Sequence, residues 1–155
     1  MIFPESDTIT IYSKNIEDSA FYQNSNIKKL TFTYSITVGE SAFSGCKNLT
    51  TISCGMSGVG AQFKENAFNG CSSLTTLNIP DHIKVSDVAK GAFKDCIGLT
   101  TISLNVSEID KTASGIDPGA FEGCTSVTTI NWLSRHYNVC GSDNFLDSPF
   151  YPIRD

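Results

Sequence analysis

One dipeptide sets the frame of this chain. Ala-Phe occurs at Ala20-Phe21, Ala42-Phe43, Ala67-Phe68, Ala92-Phe93 and Ala120-Phe121, in steps of 22, 25, 25 and 28 residues. Three residues after each Phe stands Asn24, Cys46, Cys71, Cys96 or Cys124. Three further on comes an aliphatic residue: Ile27, Leu49, Leu74, Leu99 or Val127. Each copy then runs into an alternating segment: Leu30 to Phe32, Ile52 to Cys54, Leu77 to Ile79, Ile102 to Leu104 and Ile130 to Trp132. A degenerate last copy begins at Asn144-Phe145, with Ser148 in the Cys slot. A unit of this length cannot bury its own apolar face, so it must stack on its neighbours; such a period signals a solenoid.

The alternating segments predict short strands, because apolar residues recur at every second position among Thr and β-branched residues. Ile9-Thr10-Ile11-Tyr12 predicts a leading strand without its own Ala-Phe unit. Stacked rungs would form a parallel sheet at about 4.8 Å per rung. Ala followed by Phe, then by Gly, Asn or Ser, predicts a tight turn of helix or 3₁₀-helix with Phe filling the interior. A second apolar position precedes each Ala-Phe: Ile36 and Val38, Phe63, Val88, then Ile109 and Ile116. These predict the opposite wall, with 55–60 and 106–118 as surface loops.

Cysteines are numerous for 155 residues, six in all, and three readings compete. Disulfides suit an even count, but four of the six share one repeated slot and would point in parallel, which disfavours bridging geometry. A zinc site would need ligand spacing that is missing, since there is no Cys-x-x-Cys; His136 with Cys140 and the lone His82 do not supply it. A core ladder explains the shared slot: a thiol is a small hydrophobe with a weak donor, and Cys46, Cys71, Cys96 and Cys124 can stand where Asn24 stands by donating to backbone carbonyls. Cys54 takes an inward strand position, and Cys140 lies outside the frame.

The frame Ala-Phe-x-x-Cys-x-x-Leu-x-x-Ile-x-Leu resembles the BspA-type leucine-rich repeat. Residues 16–132 match as about five repeats, 1–15 read as an N-terminal cap, and 133–155 as a degenerate last repeat and C-terminal cap, making 1–155 a single solenoid. The resemblance implies a curved coil with a parallel β-sheet on the concave face and short helical, 3₁₀ or irregular segments opposite. It also implies secreted or cell-surface proteins that bind proteins and adhere, without enzymatic activity.

Composition narrows the partner. Charged residues are 17% of the chain, against about 25% in an ordinary soluble domain, and the net charge is −5. A nucleic-acid surface and attachment to an anionic membrane are therefore disfavoured. No apolar run reaches the roughly 18 residues of a membrane span. Met1 to Glu5 shows neither a basic nor an apolar signal region, so the compartment is left open. Outward strand positions form two columns: Lys29, Thr51, Thr76, Thr101 and Thr129, then Thr31, Ser53, Asn78, Ser103 and Asn131. A third runs through Thr33, Gly55, Pro80, Asn105 and Leu133. Such a face suits a protein or glycan held by neutral hydrogen bonds; it also suits an exposed sheet that merely stays soluble. Tyr12, Tyr22 and Tyr34, like Tyr137, Phe145, Phe150 and Tyr151, offer anchors or shields for the coil ends. Incomplete shielding would allow weak homo-association, and an assembly spacer is the alternative to a binding module. Two His and scattered carboxylates, including Asp81-His82 and Arg135-His136, form no catalytic constellation, and no cofactor or metal site is expected.

Overall fold

A computed structural model describes residues 7–55, 60–80, 84–106 and 116–132. Ten strands follow in chain order: β1 (Thr8–Ile11), β2 (Asn15–Ile16), β3 (Lys29–Phe32), β4 (Ile36–Val38), β5 (Thr51–Cys54), β6 (Gly60–Phe63), β7 (Thr76–Asn78), β8 (Lys84–Val88), β9 (Thr101–Val106) and β10 (Thr129–Trp132). They sort into two parallel ladders. β1, β3, β5, β7, β9 and β10 form the first; β2, β4, β6 and β8 form the second. Pairing joins a slot to the same slot one copy later, as in Leu30 with Ile52 and Leu77 with Ile102. The chain is a β-solenoid with the expected parallel sheet.

The inward residues explain why such short strands persist. Leu30, Ile52, Leu77 and Ile102 from the first ladder meet Val38, Phe63 and Val88 from the second in one continuous buried core. No two- to six-residue strand is stable alone, so each rung depends on its neighbours for burial and for ladder hydrogen bonds. The second apolar position before each Ala-Phe is the strand of the second ladder, and Ile116 continues it by bridging Val88. β9 turns the corner: Thr101 to Leu104 pair with β10 in the first ladder, whereas Asn105 and Val106 pair with Lys84 and Val85 of β8.

The segment around each Ala-Phe departs from the expected turn of helix. Among the described residues there is no helix. Two positions per turn lie in the left-handed region, such as Ser19 at φ 57° and Gln23 at φ 55°, or Gly119 at 76° and Gly123 at 74°. That conformation interrupts a right-handed helix. The N–H groups consequently divide their partners. Tyr22 N–H donates within the turn to Ser19 O (3.1 Å), whereas Phe21 N–H donates to Ala42 O of the next copy (2.7 Å). The same outward donation recurs from Phe43 to Ala67, Phe68 to Ala92 and Phe93 to Ala120, so the turns form a third inter-rung ladder.

Two side-chain columns run beneath this turn ladder. Phe21, Phe43, Phe68, Phe93 and Phe121 stack with successive ring centroids 5.0, 5.1, 5.3 and 5.4 Å apart and planes within 8°. Phe63 of β6 meets Phe68 and Phe93 edge-on. The second column is sulfur. Cys46, Cys71, Cys96 and Cys124 are free thiols, fully buried. Each Sγ donates to the carbonyl of the Phe one copy earlier, at 3.1, 3.2, 3.2 and 3.0 Å. Asn24 behaves otherwise. Its Oδ1 accepts from the N–H groups of Asn26 (2.9 Å) and Ile27 (3.2 Å), so in the first copy the slot holds a turn-closing acceptor rather than a donor. No copy precedes it among the described residues to supply a Phe carbonyl.

Candidate functional site

Period two places the polar half of each first-ladder strand on the outside. Lys29, Thr51, Thr76, Thr101 and Thr129 are in register across β3, β5, β7, β9 and β10, with Thr8 of β1 extending the line. Thr10 pairs with Thr31, Thr31 with Ser53, and Asn78 with Ser103, which pairs with Asn131. Every one of these side chains is exposed or half-buried. Lys29 carries the only charge among the ten candidate residues. Asn131 Nδ2 donates to Ser103 Oγ at 3.0 Å, so neighbouring rungs already join their polar groups laterally.

The paired threonines that mark the strands divide their labour. The leading Thr of a pair binds the preceding rung: Thr50 Oγ1 donates to Lys28 O (3.0 Å), Thr100 Oγ1 to Thr75 O (3.1 Å) and Thr128 Oγ1 to Thr100 O (3.4 Å). The second Thr stands in the outward column. In the third column Thr33 is spent in the same way, donating to Ile11 O at 2.9 Å. Leu133 lies outside the described residues, as do the Trp132 and Asn105 side chains.

A second polar surface, which strand alternation did not single out, lies over the second ladder. Asn15, Thr37 and Gln62 are outward on β2, β4 and β6, with Ser86 and Asp87 on β8. Asn15, Thr37, Gln62 and Ser86 border a groove of about 360 Å³, with Lys14, Ser35, Ile36, Gly60 and Ala61. Gln62 Nε2 reaches Asp87 Oδ2 at 3.4 Å. Burial pushes the Asp87 carboxyl up from its ordinary range, and Asp117 nearby adds to the rise, partly offset by the Gln62 hydrogen bond. The signal that could have found this groove is weak, because its residues come from corners where copies differ in length.

Among the described residues, no three His, Cys, Asp or Glu side chains cluster as metal ligands. The thiols are poor nucleophiles: burial pushes Cys46 and half-buried Cys54 up to about 11 and Cys124 up to about 12, and holds Cys71 and Cys96 well above the ordinary thiol range. Asp81, His82, Asp110, Arg135, His136, Tyr137, Cys140, Phe145, Phe150 and Tyr151 lie outside the described residues. Among the described residues no helix is long and apolar enough to cross a membrane.

A family model described as a BspA type leucine-rich repeat region matches residues 14–148 in six copies. Among solved structures, the chain is similar to a leucine-rich cell surface protein from Faecalibacterium prausnitzii. That match has 26% identity and a TM-score of 0.64, over 86% of this chain and 35% of that one. It also matches a leucine-rich repeat protein from Bacteroides capillosus, with 21% identity and a TM-score of 0.49, over 63% of this chain and 75% of that one. The T. pallidum leucine-rich repeat protein matches at 18% identity and a TM-score of 0.48, over 83% of this chain and 70% of that one. The chain spans about a third of the length of the Faecalibacterium protein. No curated protein sequence matches.

Proposed function

This chain belongs to the BspA-type leucine-rich repeat family, and from that premise we propose that it is a non-enzymatic binding module that holds a protein partner on its first-ladder face. One observation carries the reading: hydroxyl and amide side chains stand outward and in register on successive rungs, from Thr8 to Thr129, with almost no charge among them. A flat array of donors and acceptors on a rigid coil can meet an extended partner surface with little ordering cost in the array itself. Adhesion is the use this reading supports, in keeping with the cell-surface description of the Faecalibacterium neighbour.

The test is capture of surface proteins by the full chain, compared with a T76A/N78A/T101A/S103A variant that keeps the wild-type melting temperature. Loss of a captured partner in the variant is the expected result. A genuine partner retained at full affinity by the variant removes the first-ladder face. Since the face is nearly neutral, raising the salt from low to several hundred millimolar should change affinity by less than about threefold.

Assembly through the coil ends is a second reading, and one observation favours it. Among the described residues β1 has a strand neighbour, β3, on one side only, and a free strand edge is a template for pairing. Light scattering tests it: a strict monomer at high concentration rejects it.

A further inference from the structure

The groove over the second ladder has a different chemical character from the first-ladder face and rests on separate observations. It spans rungs one to four at the corner where the first ladder passes into the second, and its walls carry Lys14, Asn15, Ser35, Thr37, Gln62 and Ser86. Two phenol rings stand at that corner. Tyr12, between β1 and β2, is 74% exposed; Tyr34, between β3 and β4, is 49% exposed. Because Ile11 pairs with Phe32, the backbones of Tyr12 and Tyr34 belong to consecutive rungs, about 5 Å apart along the coil axis. Only four large hydrophobic side chains are exposed among the described residues, and two of them precede groove-lining segments in the chain, Tyr34 directly before Ser35 and Tyr12 two residues before Lys14.

Ser86 Oγ is spent on Ala61 O at 3.3 Å, and Lys14 carries the one charge among the lining residues. The Asn15 carboxamide and Thr37 hydroxyl make no hydrogen bond among the described residues. Gln62 uses its Nε2 on Asp87, and its Oε1 makes no hydrogen bond among the described residues. Lys14 forms no ion pair among the described residues, and the Asp87 carboxyl on β8 is engaged by Gln62. An extended peptide could not add a strand at the groove floor, because β4 is hydrogen-bonded on both sides, to β2 and β6, and the edge strand β2 is only two residues long. Nor would it find deep apolar pockets, since Ile36 and Ala61 are buried.

Neutral donors and acceptors beside exposed aromatic faces match a ligand that has many hydroxyls, no charge and one apolar C–H face per ring. The electron-rich face of Tyr attracts the C–H bonds of a pyranose, while amides and hydroxyls bind its edge. We propose that this corner groove is a binding site for a neutral pyranose oligosaccharide, with Tyr12 and Tyr34 as stacking platforms and Asn15, Thr37 and Gln62 as the hydrogen-bonding edge. Each polar contact replaces one to water, so affinity is modest, with Kd on the order of 0.1–1 mM.

The experiment is an NMR and calorimetric titration of the full chain with four neutral hexasaccharides (laminarihexaose, cellohexaose, mannohexaose, chitohexaose) and with an anionic hyaluronan hexasaccharide. At least one neutral sugar should bind. Tyr34→Ala, Tyr12→Ala and the N15A/T37A pair should each weaken it by about fivefold or more. Gln62→Glu, which adds a charge to the edge, should weaken it similarly, while the first-ladder pair T76A/T101A leaves it unchanged. Circular dichroism melting of each variant separates loss of the site from loss of the fold, and Tyr34→Leu supplies a second aromatic deletion if the alanine is unstable. The proposal is overturned by three results: no neutral sugar bound by about 10 mM, tighter binding of hyaluronan that Lys14→Ala abolishes, or a bound sugar lost in T76A/T101A and kept in Tyr34→Ala. The last would move the sugar to the first-ladder face.

Discussion

Each Phe carbonyl from Phe21 to Phe93 accepts two hydrogen bonds. One comes from the N–H three residues on, as Cys46 N–H to Phe43 O at 3.1 Å; the other comes from the next copy's thiol, as Cys71 Sγ at 3.2 Å. The thiol thereby satisfies the second lone pair of a carbonyl that water does not reach, and it fills the slot without a void. Cys71→Ala forfeits both roles and should cost about 1–3 kcal/mol in urea unfolding. If donation matters, Cys71→Ser should be milder than alanine; if the slot only wants a small hydrophobe, serine should be worse. Burial also sets a pH dependence. An unfolded thiol titrates near 9.0, whereas Cys46 is pushed up to about 11 and Cys124 to about 12. Protons therefore leave the unfolded chain first. Stability is intact below pH 9 and drains as pH rises from 9 toward the folded values, at roughly 1 kcal/mol per pH unit for each thiol. Urea midpoints measured from pH 8 to 11 should fall steeply, and less steeply in Cys71→Ala. The left-handed turn positions give a matched pair of tests. A methyl on Gly70 (φ 73°) meets only the Gly45 backbone at 3.9 Å, an ordinary contact, so Gly70→Ala should cost only the backbone strain, about 1–2 kcal/mol. A methyl on Gly123 (φ 74°) runs into Asp95 Oδ1, so Gly123→Ala should cost more, and Asp95→Gly in the same chain should recover the difference.

At the scale of the element, the rung is held at three corners by different means: ladder bonds with Thr hydroxyl clips, a second ladder, and the turn ladder over stacked Phe rings. Phe68 shows how these combine, stacked between Phe43 and Phe93 with Phe63 at its edge. Phe68→Ala should cost about 3–5 kcal/mol in denaturant unfolding, and Phe21→Ala, at a half-buried site, clearly less. Much of this rung was legible in the sequence. The repeated slot located the first ladder, because Leu77 and Ile79 alternate with polar residues, and the apolar positions Ile36, Val38, Phe63 and Val88 marked the second wall. Its strand character was hidden, because Gly60-Ala61-Gln62-Phe63 has little β propensity and acquires it only by pairing with β4 and β8. The turn was hidden for another reason. Ser19, Ser41, Gln23, Asn66 and Asp95 carry positive φ without being glycine, and Ala-Phe favours a helix that those positions forbid. The outward columns could be read from period two; the corner groove could not, since its parts gather only when unequal corners are stacked.

Over the whole molecule, stability is a sum of rungs and their contacts, so it should grade along the coil axis. β1 presents half-buried Ile9 and Ile11 where β3 presents fully buried Leu30 and Phe32. Native-state hydrogen exchange should therefore find the amides of β5 and β7 slowest and those of β1 faster by at least about tenfold; uniform protection would show a single cooperative unit instead. The fit of Asp95 over Gly123, and of Asn66 over Gly91, has a further consequence for how such a chain can grow. Because the main inter-rung bonds join the same pair of slots in copy after copy, unequal crossing-over between two copies would add or delete a whole rung and leave those bonds with partners. The left-handed slots impose a syntax on that process. A copy that leans a side chain over its successor, as the Asp95 copy does, must be followed by one with glycine there, such as the copies of Gly45, Gly70 or Gly123. Two Asp95-type copies in succession would collide. The order of copies is thus constrained even where their number is free.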